Sequence, residues 1–205
     1  RIGRDGSGWS LETVPREPGT GTGAERFTCR RVVLAASTLA TTRLLLALQG
    51  RHGEAVRLLG SPTVGFAVLL PERLGAALET RAFSMGQISF LLDADTRERV
   101  FGSLFAASGI PVSRVVEAMP LSRRGGLRFQ RWLQPALLLG NGFFPSHHSR
   151  YEAVLERRPG GDRLVLSGDH DDALPGRLAR FRARFGRGLL ALGALLVPGS
   201  LHLVP

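Results

Sequence analysis

The spacing of apolar and polar residues predicts strands and one helix in the first sixty residues. Gly8–Val14 alternates, which is typical of a β-strand. Arg26–Ala35 is predicted to be extended, and its run Val32–Leu34 has no polar break, which predicts a strand covered on both faces, as in a parallel sheet. From Thr38 the leucines predict a mostly buried helix that ends near Gly50.

Beyond Gly60 the predicted strands come in runs, with helices grouped between them. The strands are Thr63–Pro71, Phe83–Asp93, Arg99–Ser108 and a hairpin whose two strands flank Pro159–Asp162. Helices are predicted over Pro111–Met119 and Gly125–Pro135, and an apolar run follows the second. This order predicts an α+β fold, in which an antiparallel sheet carries helices on one face.

The last predicted helix shows the clearest amphipathic pattern. Its apolar residues recur every three or four positions and are Leu174, Leu178, Phe181, Phe185, Leu189, Leu192 and Leu196. Its arginines fall on the opposite side and are Arg177, Arg180, Arg184 and Arg187. This pattern favours a helix packed on a sheet with its arginines in solvent, over a helix that lies on an anionic membrane.

Charge and composition narrow the function classes. The chain has 205 residues and a net charge of +10, and all 27 of its basic residues are arginine. These arginines are spread along the chain without a dense basic block, so we expect no nucleic-acid partner. The only cysteine, Cys29, can form no intrachain disulfide, which favours the cytoplasm. Leu189–Pro205 is apolar but is broken by Pro and Gly and is short for a span, so no transmembrane segment is predicted.

Three short stretches are candidates for chemistry. Gly168–Asp172 holds three carboxylates and a histidine, but their place before Pro175 favours a helix entry, so we predict no metal site. His147 and His148 are adjacent, and we expect them to point in two directions, so that only one of them serves a given site. The third stretch is Ala35–Thr38, small residues at a predicted strand-to-helix joint. They favour close packing of helix on strand, and the alternative is a ligand that approaches the backbone.

The stretch "CRRVVLAASTLATTRLLL" resembles a pattern of the FAD-dependent glucose–methanol–choline oxidoreductases, in which a strand ends in Ala-Ala-Gly and a helix follows. Ser37 stands where that family usually has Gly, and Thr42 stands where Pro is common. "SMGQISFLLD" and "FFPSHHSRYEAVL" are similar to segments of the family's substrate domain. The resemblance covers nearly the whole chain and depends on the order of these segments.

The resemblance implies an internal fragment of a flavoenzyme that transfers hydride from a small-molecule alcohol to FAD. Residues 1–60 would be a partial α/β FAD-binding domain, and residues 61–205 a substrate-binding domain. The flavin would lie against Ala35, Ala36, Ser37 and Thr38. The substrate cavity would be lined by Gln87, Ser89, Phe144, Ser146 and His147.

The family's dinucleotide fingerprint is expected upstream of this chain, and its catalytic His is expected beyond Pro205, so none of these residues is assigned as catalytic. Apolar residues near the end, Leu201, Leu203 and Val204, are expected to be covered by that downstream chain. An alternative function stays open: a non-enzymatic, Arg-rich module that binds an anionic membrane surface or nucleic acid.

Overall fold

The computed structural model describes residues 2–13, 25–77, 87–93, 96–107, 117 and 120–204. Its helices and antiparallel sheets confirm the predicted α+β class. The predicted helix over Pro111–Met119 lies outside the described residues, except for Glu117. Within the described residues, no helix has both the length and the hydrophobicity that a bilayer span requires.

The chain forms two compact units, and each combines two stretches of sequence. The first unit contains Arg1–Leu58 and Tyr151–Gly168. The second contains Leu59–Arg150 and Asp169–Pro205. The hairpin on either side of Pro159–Asp162 therefore belongs with the first sixty residues, although it comes late in the sequence.

The described residues of the first unit form two three-stranded antiparallel sheets and one helix. One sheet is a meander of β1 (Ile2–Asp5), β2 (Gly8–Thr13) and β3 (Glu25–Cys29). The other has the order β10-β9-β4, from β4 (Ala55–Leu58), β9 (Tyr151–Glu156) and β10 (Arg163–Ser167). Helix α1 spans Thr38–Leu48. The predicted strand from Gly8, the helix from Thr38 and the late hairpin are thus confirmed.

Two predictions for the first unit are wrong. Strand β3 ends at Cys29, Val32–Leu34 forms no strand, and the Val33 side chain is 90% exposed. Every strand pair among the described residues is antiparallel, so no parallel sheet is present there to cover this run on both faces. The leucines of α1 are also less buried than predicted, since only Leu46 is fully buried.

The second unit is built on one antiparallel sheet. Its strands are β5 (Thr63–Leu69), β6 (Ile88–Leu92), β7 (Val100–Ala106), β8 (Leu137–Phe143), β11 (Leu195–Leu196) and β12 (His202–Val204). The order is β11-β5-β8-β7-β6, and β12 pairs with β5 farther along the same edge. Within the described part of this unit, the helices longer than one turn are α2 (Arg123–Leu133) and α3 (Leu174–Ala191).

The register of the four long strands divides the sheet into two faces by residue parity. Even-numbered residues of β5 to β8 point to a buried face, where Val64, Phe66 and Val68 pack against α3. Glycines make room for aromatic rings on this face, since a Cβ at Gly140 would lie 2.3 Å from Phe66 Cε2. Odd-numbered residues point to the opposite face, which is more exposed at Phe101. Because successive side chains of a strand point to opposite faces, the sheet has one face in the core and one open face.

The predicted stripe of α3 is confirmed in its central part. Leu174, Phe181, Phe185 and Leu189 are buried against the sheet, and the rings of Phe181 and Phe185 stack with centroids 5.1 Å apart. The prediction fails at the helix end, because α3 stops at Ala191 and leaves Leu192 81% exposed.

The apolar residues near position 205 also differ from expectation. β12 pairs with β5, and this brings Leu201 and Leu203 against the core cluster of the second unit. These two side chains are therefore covered by the chain's own sheet, whereas Val204 stays 45% exposed.

Candidate functional site

The joint between β3 and α1 has an unusual backbone. Ser37 has φ 68° and ψ 165°, a conformation that residues other than glycine rarely adopt. Ala35, Ala36, Ser37 and Thr38 are all exposed. The backbone of the joint is therefore exposed to solvent. The predicted close packing of a helix on a strand at these small residues is not observed.

The first turn of α1 has free hydrogen-bonding capacity. Ser37 is the N-cap residue, but its side chain makes no capping hydrogen bond, and the first turn has no acidic residue. The Ala36 amide donates to Thr41 Oγ1 at 3.2 Å, and the Thr41 amide donates to the Ser37 carbonyl at 2.9 Å. Helix N-termini of this kind favour anions, because their amides point outward and the helix dipole is positive there. The first turn of α1 thus carries no acidic side chain that would repel an anion.

The open face of the second unit's sheet combines aromatic and polar groups. Phe101 and Phe143 lie side by side, with ring centroids 6.4 Å apart and planes 16° from parallel. Next to them in the register, Ser103 Oγ donates to Asn141 Oδ1 at 2.8 Å. Ser89 pairs with Ser103 and shares this face. An apolar surface with a few fixed polar groups is what a small organic substrate requires.

The five residues predicted to line the substrate cavity do not come together. Ser89 lies on the open face of the sheet, whereas Phe144 is 3% exposed and lies in the core. Gln87 Oε1 accepts a hydrogen bond from the Ala106 amide, at the end of β7 opposite to Val100. Ser146 and His147 lie in a 3₁₀ turn, Ser146–His148, that follows β8.

That turn forms a charged cluster with residues from two other segments, which we call the Glu98 cluster. Three side chains contact the carboxylate oxygens of Glu98: His148 through Nε2 at 2.8 Å, His147 through Nε2 at 3.3 Å and Arg177 through a guanidinium nitrogen at 3.0 Å. On its other side, His148 Nδ1 lies 2.9 Å from Asp171 Oδ2. The two histidine rings lie 4.2 Å apart, so the expectation that they point to different places is wrong.

Electrostatics in the Glu98 cluster favour charged groups. Burial alone would lower the pKa of His148, but its hydrogen bonds to Glu98 and Asp171 and their negative charges outweigh burial and raise the pKa. Burial would raise the pKa of Glu98, yet the His148 hydrogen bond and the Arg177 charge lower it overall. The pKa of Asp171 is lowered, first by the hydrogen bond with His148. His148 is 2% exposed and lies between the two carboxylates, whereas His147 is half-exposed.

A cavity of about 230 Å³ adjoins the cluster and lies along α3. Glu98 lines it together with Asp93, Arg177, Arg180 and Arg184. Arg184 forms a salt bridge with Asp93, and Arg177 forms one with Glu98, so two of the helix's arginines face acidic partners. Arg180 makes no salt bridge with a described residue. Arg180, Arg184 and Arg187 are exposed, as expected, whereas Arg177 is only half-exposed.

Sequence reasoning missed Glu98 and Arg177 and saw Asp171 only as part of a helix entry. Glu98 lies 50 residues from His148 along the chain, and no local spacing connects them. The sequence does give one signal for Asp171. It lies three residues before Leu174, where α3 begins, so its carboxylate is expected near the N-terminus of that helix. The helix-entry interpretation of Asp171 agrees with the structure, since the amides of Leu174 and Ala173 also lower its pKa.

The chain was compared with family profiles, curated proteins and solved structures, and none of them matches it. Two features of the chain itself are candidates for a site: the exposed joint at Ser37 in the first unit, and the open face of the sheet in the second.

Proposed function

We propose that this chain is part of an FAD-dependent oxidoreductase that oxidises an alcohol. The observation that carries the proposal is the backbone of Ser37. Its φ of 68° is a glycine conformation, and Ser37 is the position at which the glucose–methanol–choline oxidoreductases usually have Gly. The backbone angle at this position therefore supports the resemblance.

Strain of this kind is uncommon away from functional sites. A residue other than glycine in this region of φ and ψ costs about 1–3 kcal/mol and persists where the surroundings require that geometry. Here the joint makes no capping hydrogen bond that would explain the strain. A loop held open for a ligand just before α1 provides the explanation.

Each part of the joint has an assigned role. The small side chains of Ala35 and Ala36 let a flavin approach the backbone, and the outward amides at the start of α1 provide positive potential for an anionic cofactor. FAD, when bound, supplies the hydride acceptor for alcohol oxidation. The protein's own contribution at this joint is to bind and orient.

On the substrate side we assign the open face of the sheet rather than the five residues named from sequence. Phe101 and Phe143 give an apolar wall, and Ser103 and Asn141 give fixed polar groups beside it. Of the sequence-based candidates, Ser89 lies on this face. Such a wall excludes water from an alcohol and orients its hydroxyl group.

The test uses the protein expressed from its native gene, together with whatever sequence flanks these residues. We expect flavin absorption bands to co-elute with the protein in gel filtration, and FAD to be released on denaturation. Anaerobic mixing with a panel of primary and secondary alcohols should bleach the bands. Protein without flavin, or a flavin that no alcohol reduces, would be incompatible with the proposal.

A pair of matched variants locates the flavin. Ala36→Leu should lower flavin occupancy because the added side chain occupies the exposed joint, while thermal stability of the apoprotein changes little. Ala55→Leu is the control, because Ala55 is an exposed residue of β4 in the same unit. Equal flavin occupancy in both variants would show that the flavin does not lie at this joint.

A further inference from the structure

We propose that Glu98, His147 and His148 form a binding site for a divalent transition metal such as Zn²⁺. One ligand atom from each residue lies within 4.8 Å of the other two. Metal bonds to nitrogen and carboxylate oxygen are about 2 Å long, so two ligands of a tetrahedral ion lie about 3.3 Å apart. A contraction of at most about 1.5 Å therefore closes the site, and the half-exposed His147 ring has room for it.

The second carboxylate supports this assignment. Asp171 Oδ2 lies 2.9 Å from His148 Nδ1, on the side of the ring away from Glu98. A carboxylate in that position orients the ring and keeps a proton on Nδ1, so that a metal ion can displace the Nε2 proton, which His148 otherwise donates to Glu98. Metal-bound histidines usually have such a partner on the other ring nitrogen.

The backbone holds both loops in place. The Asp171 amide donates to the His148 carbonyl at 2.9 Å, and the Arg150 amide donates to the Asp169 carbonyl at 2.9 Å. Ser149 and His170 add an antiparallel bridge between the same segments. His148 and its partner Asp171 are therefore held next to each other by main-chain contacts that do not depend on an ion.

The charges around Glu98 and the adjoining cavity are compatible with a metal ion that has one coordination position open to water. Arg177 donates to Glu98 Oε1 and leaves Oε2, which faces His148, as the ligand oxygen. The adjoining cavity of about 230 Å³ gives water a path to the ion. Two imidazoles and one carboxylate suit zinc, cobalt or iron, whereas calcium and magnesium prefer oxygen ligands.

Cobalt titration tests the site directly. We expect the chain of residues 1–205, without an affinity tag, to develop visible Co²⁺ absorption bands at a stoichiometry of one, and Zn²⁺ to displace the Co²⁺. His147→Ala and Glu98→Gln should each weaken Co²⁺ binding by at least ~10-fold. His147 is half-exposed, so its variant should keep the native circular dichroism spectrum.

The matched control is His202→Ala, which removes an exposed histidine of the same unit and should leave Co²⁺ affinity unchanged. Asp171→Asn should reduce affinity about 10- to 100-fold, because it disturbs a ligand's orientation without removing a ligand. The proposal is overturned if the parent chain shows no Co²⁺ bands, or if His202→Ala weakens binding as much as His147→Ala does. Both results are independent of whether the protein binds flavin.

Discussion

Replacement of Ser37 by glycine should stabilise the first unit, although Ser→Gly normally destabilises a protein. The φ of 68° and ψ of 165° at Ser37 cost about 1–3 kcal/mol for a residue with a Cβ, and glycine removes that cost. Glycine also gains entropy in the unfolded chain, which offsets about 0.4–1 kcal/mol. No side-chain capping bond is lost, since Ser37 makes none. The expected net change is an increase of about 1 kcal/mol in the free energy of unfolding.

A second N-cap serine provides the control. Ser122 precedes α2 with φ −60°, and its side chain accepts a hydrogen bond from the Gly125 amide at 3.2 Å. Ser122→Gly loses this cap and relieves no strain, so it should lower stability by a few tenths of a kcal/mol. The same chemical change is thus expected to have opposite signs at the two N-caps.

Urea denaturation with single-tryptophan variants measures both changes. The chain has two tryptophans, Trp9 in the first unit and Trp132 in the second, so Trp132→Phe leaves a reporter for Ser37 and Trp9→Phe leaves one for Ser122. An increase of 1 kcal/mol shifts the urea midpoint upward by about 0.3–1 M for m-values of about 1–3 kcal/mol/M. A lower midpoint for Ser37→Gly, similar to the loss at Ser122, would show that Ser37 is unstrained and would remove the main support for the flavin joint.

The remaining predictions concern the second unit. Gly140→Ala should lower its stability by about 1–3 kcal/mol, measured by urea denaturation, because the new Cβ meets the Phe66 ring at 2.3 Å; a loss below half a kcal/mol would contradict this packing. Leu174→Ala removes a side chain that is 1% exposed and should lower the free energy of unfolding by about 2–5 kcal/mol, whereas Leu192→Ala should change the thermal midpoint little. Similar effects of the two variants would contradict the end of α3 at Ala191 and the exposure of Leu192. Phe101→Ser should raise KM for alcohols in the native flavoprotein while its thermal midpoint stays nearly constant, and an unchanged KM would remove Phe101 from the substrate wall.

Most strands and helices of this chain could be predicted from local pattern. Alternation identified β2, and local pattern also identified β5, β6 and β7, whereas β8 was predicted only as an apolar run. The spacing of Leu174, Phe181 and Phe185 identified α3. These signals are local, since they reflect one face of one element. The strand predicted at Val32–Leu34 is wrong because it depended on non-local information. An apolar run shows that burial is favourable, but only the whole fold decides whether neighbouring strands are present to bury it.

The candidate site was less predictable because it joins distant segments. Which face of a strand is open depends on the register between strands, so neither Phe101 beside Phe143 nor Ser103 beside Asn141 could be read from the sequence. Likewise, the meeting of Glu98 with His148 depends on where β7 begins relative to the turn after β8. Ser37 differs, since its significance came from a resemblance in sequence and then from one backbone angle.

Helix α3 shows how a charge pattern in sequence can overstate a free basic surface. Four arginines on one side of the helix support the alternative of an Arg-rich module for anionic membranes or nucleic acid. In the structure, Arg177 faces Glu98 and Arg184 faces Asp93, so these two charges have partners within the same unit. An anionic surface would have to compete with both carboxylates. Arg177, Arg180 and Arg184 also line the cavity beside Glu98. We therefore interpret this side of α3 as a wall of that cavity rather than as a docking surface.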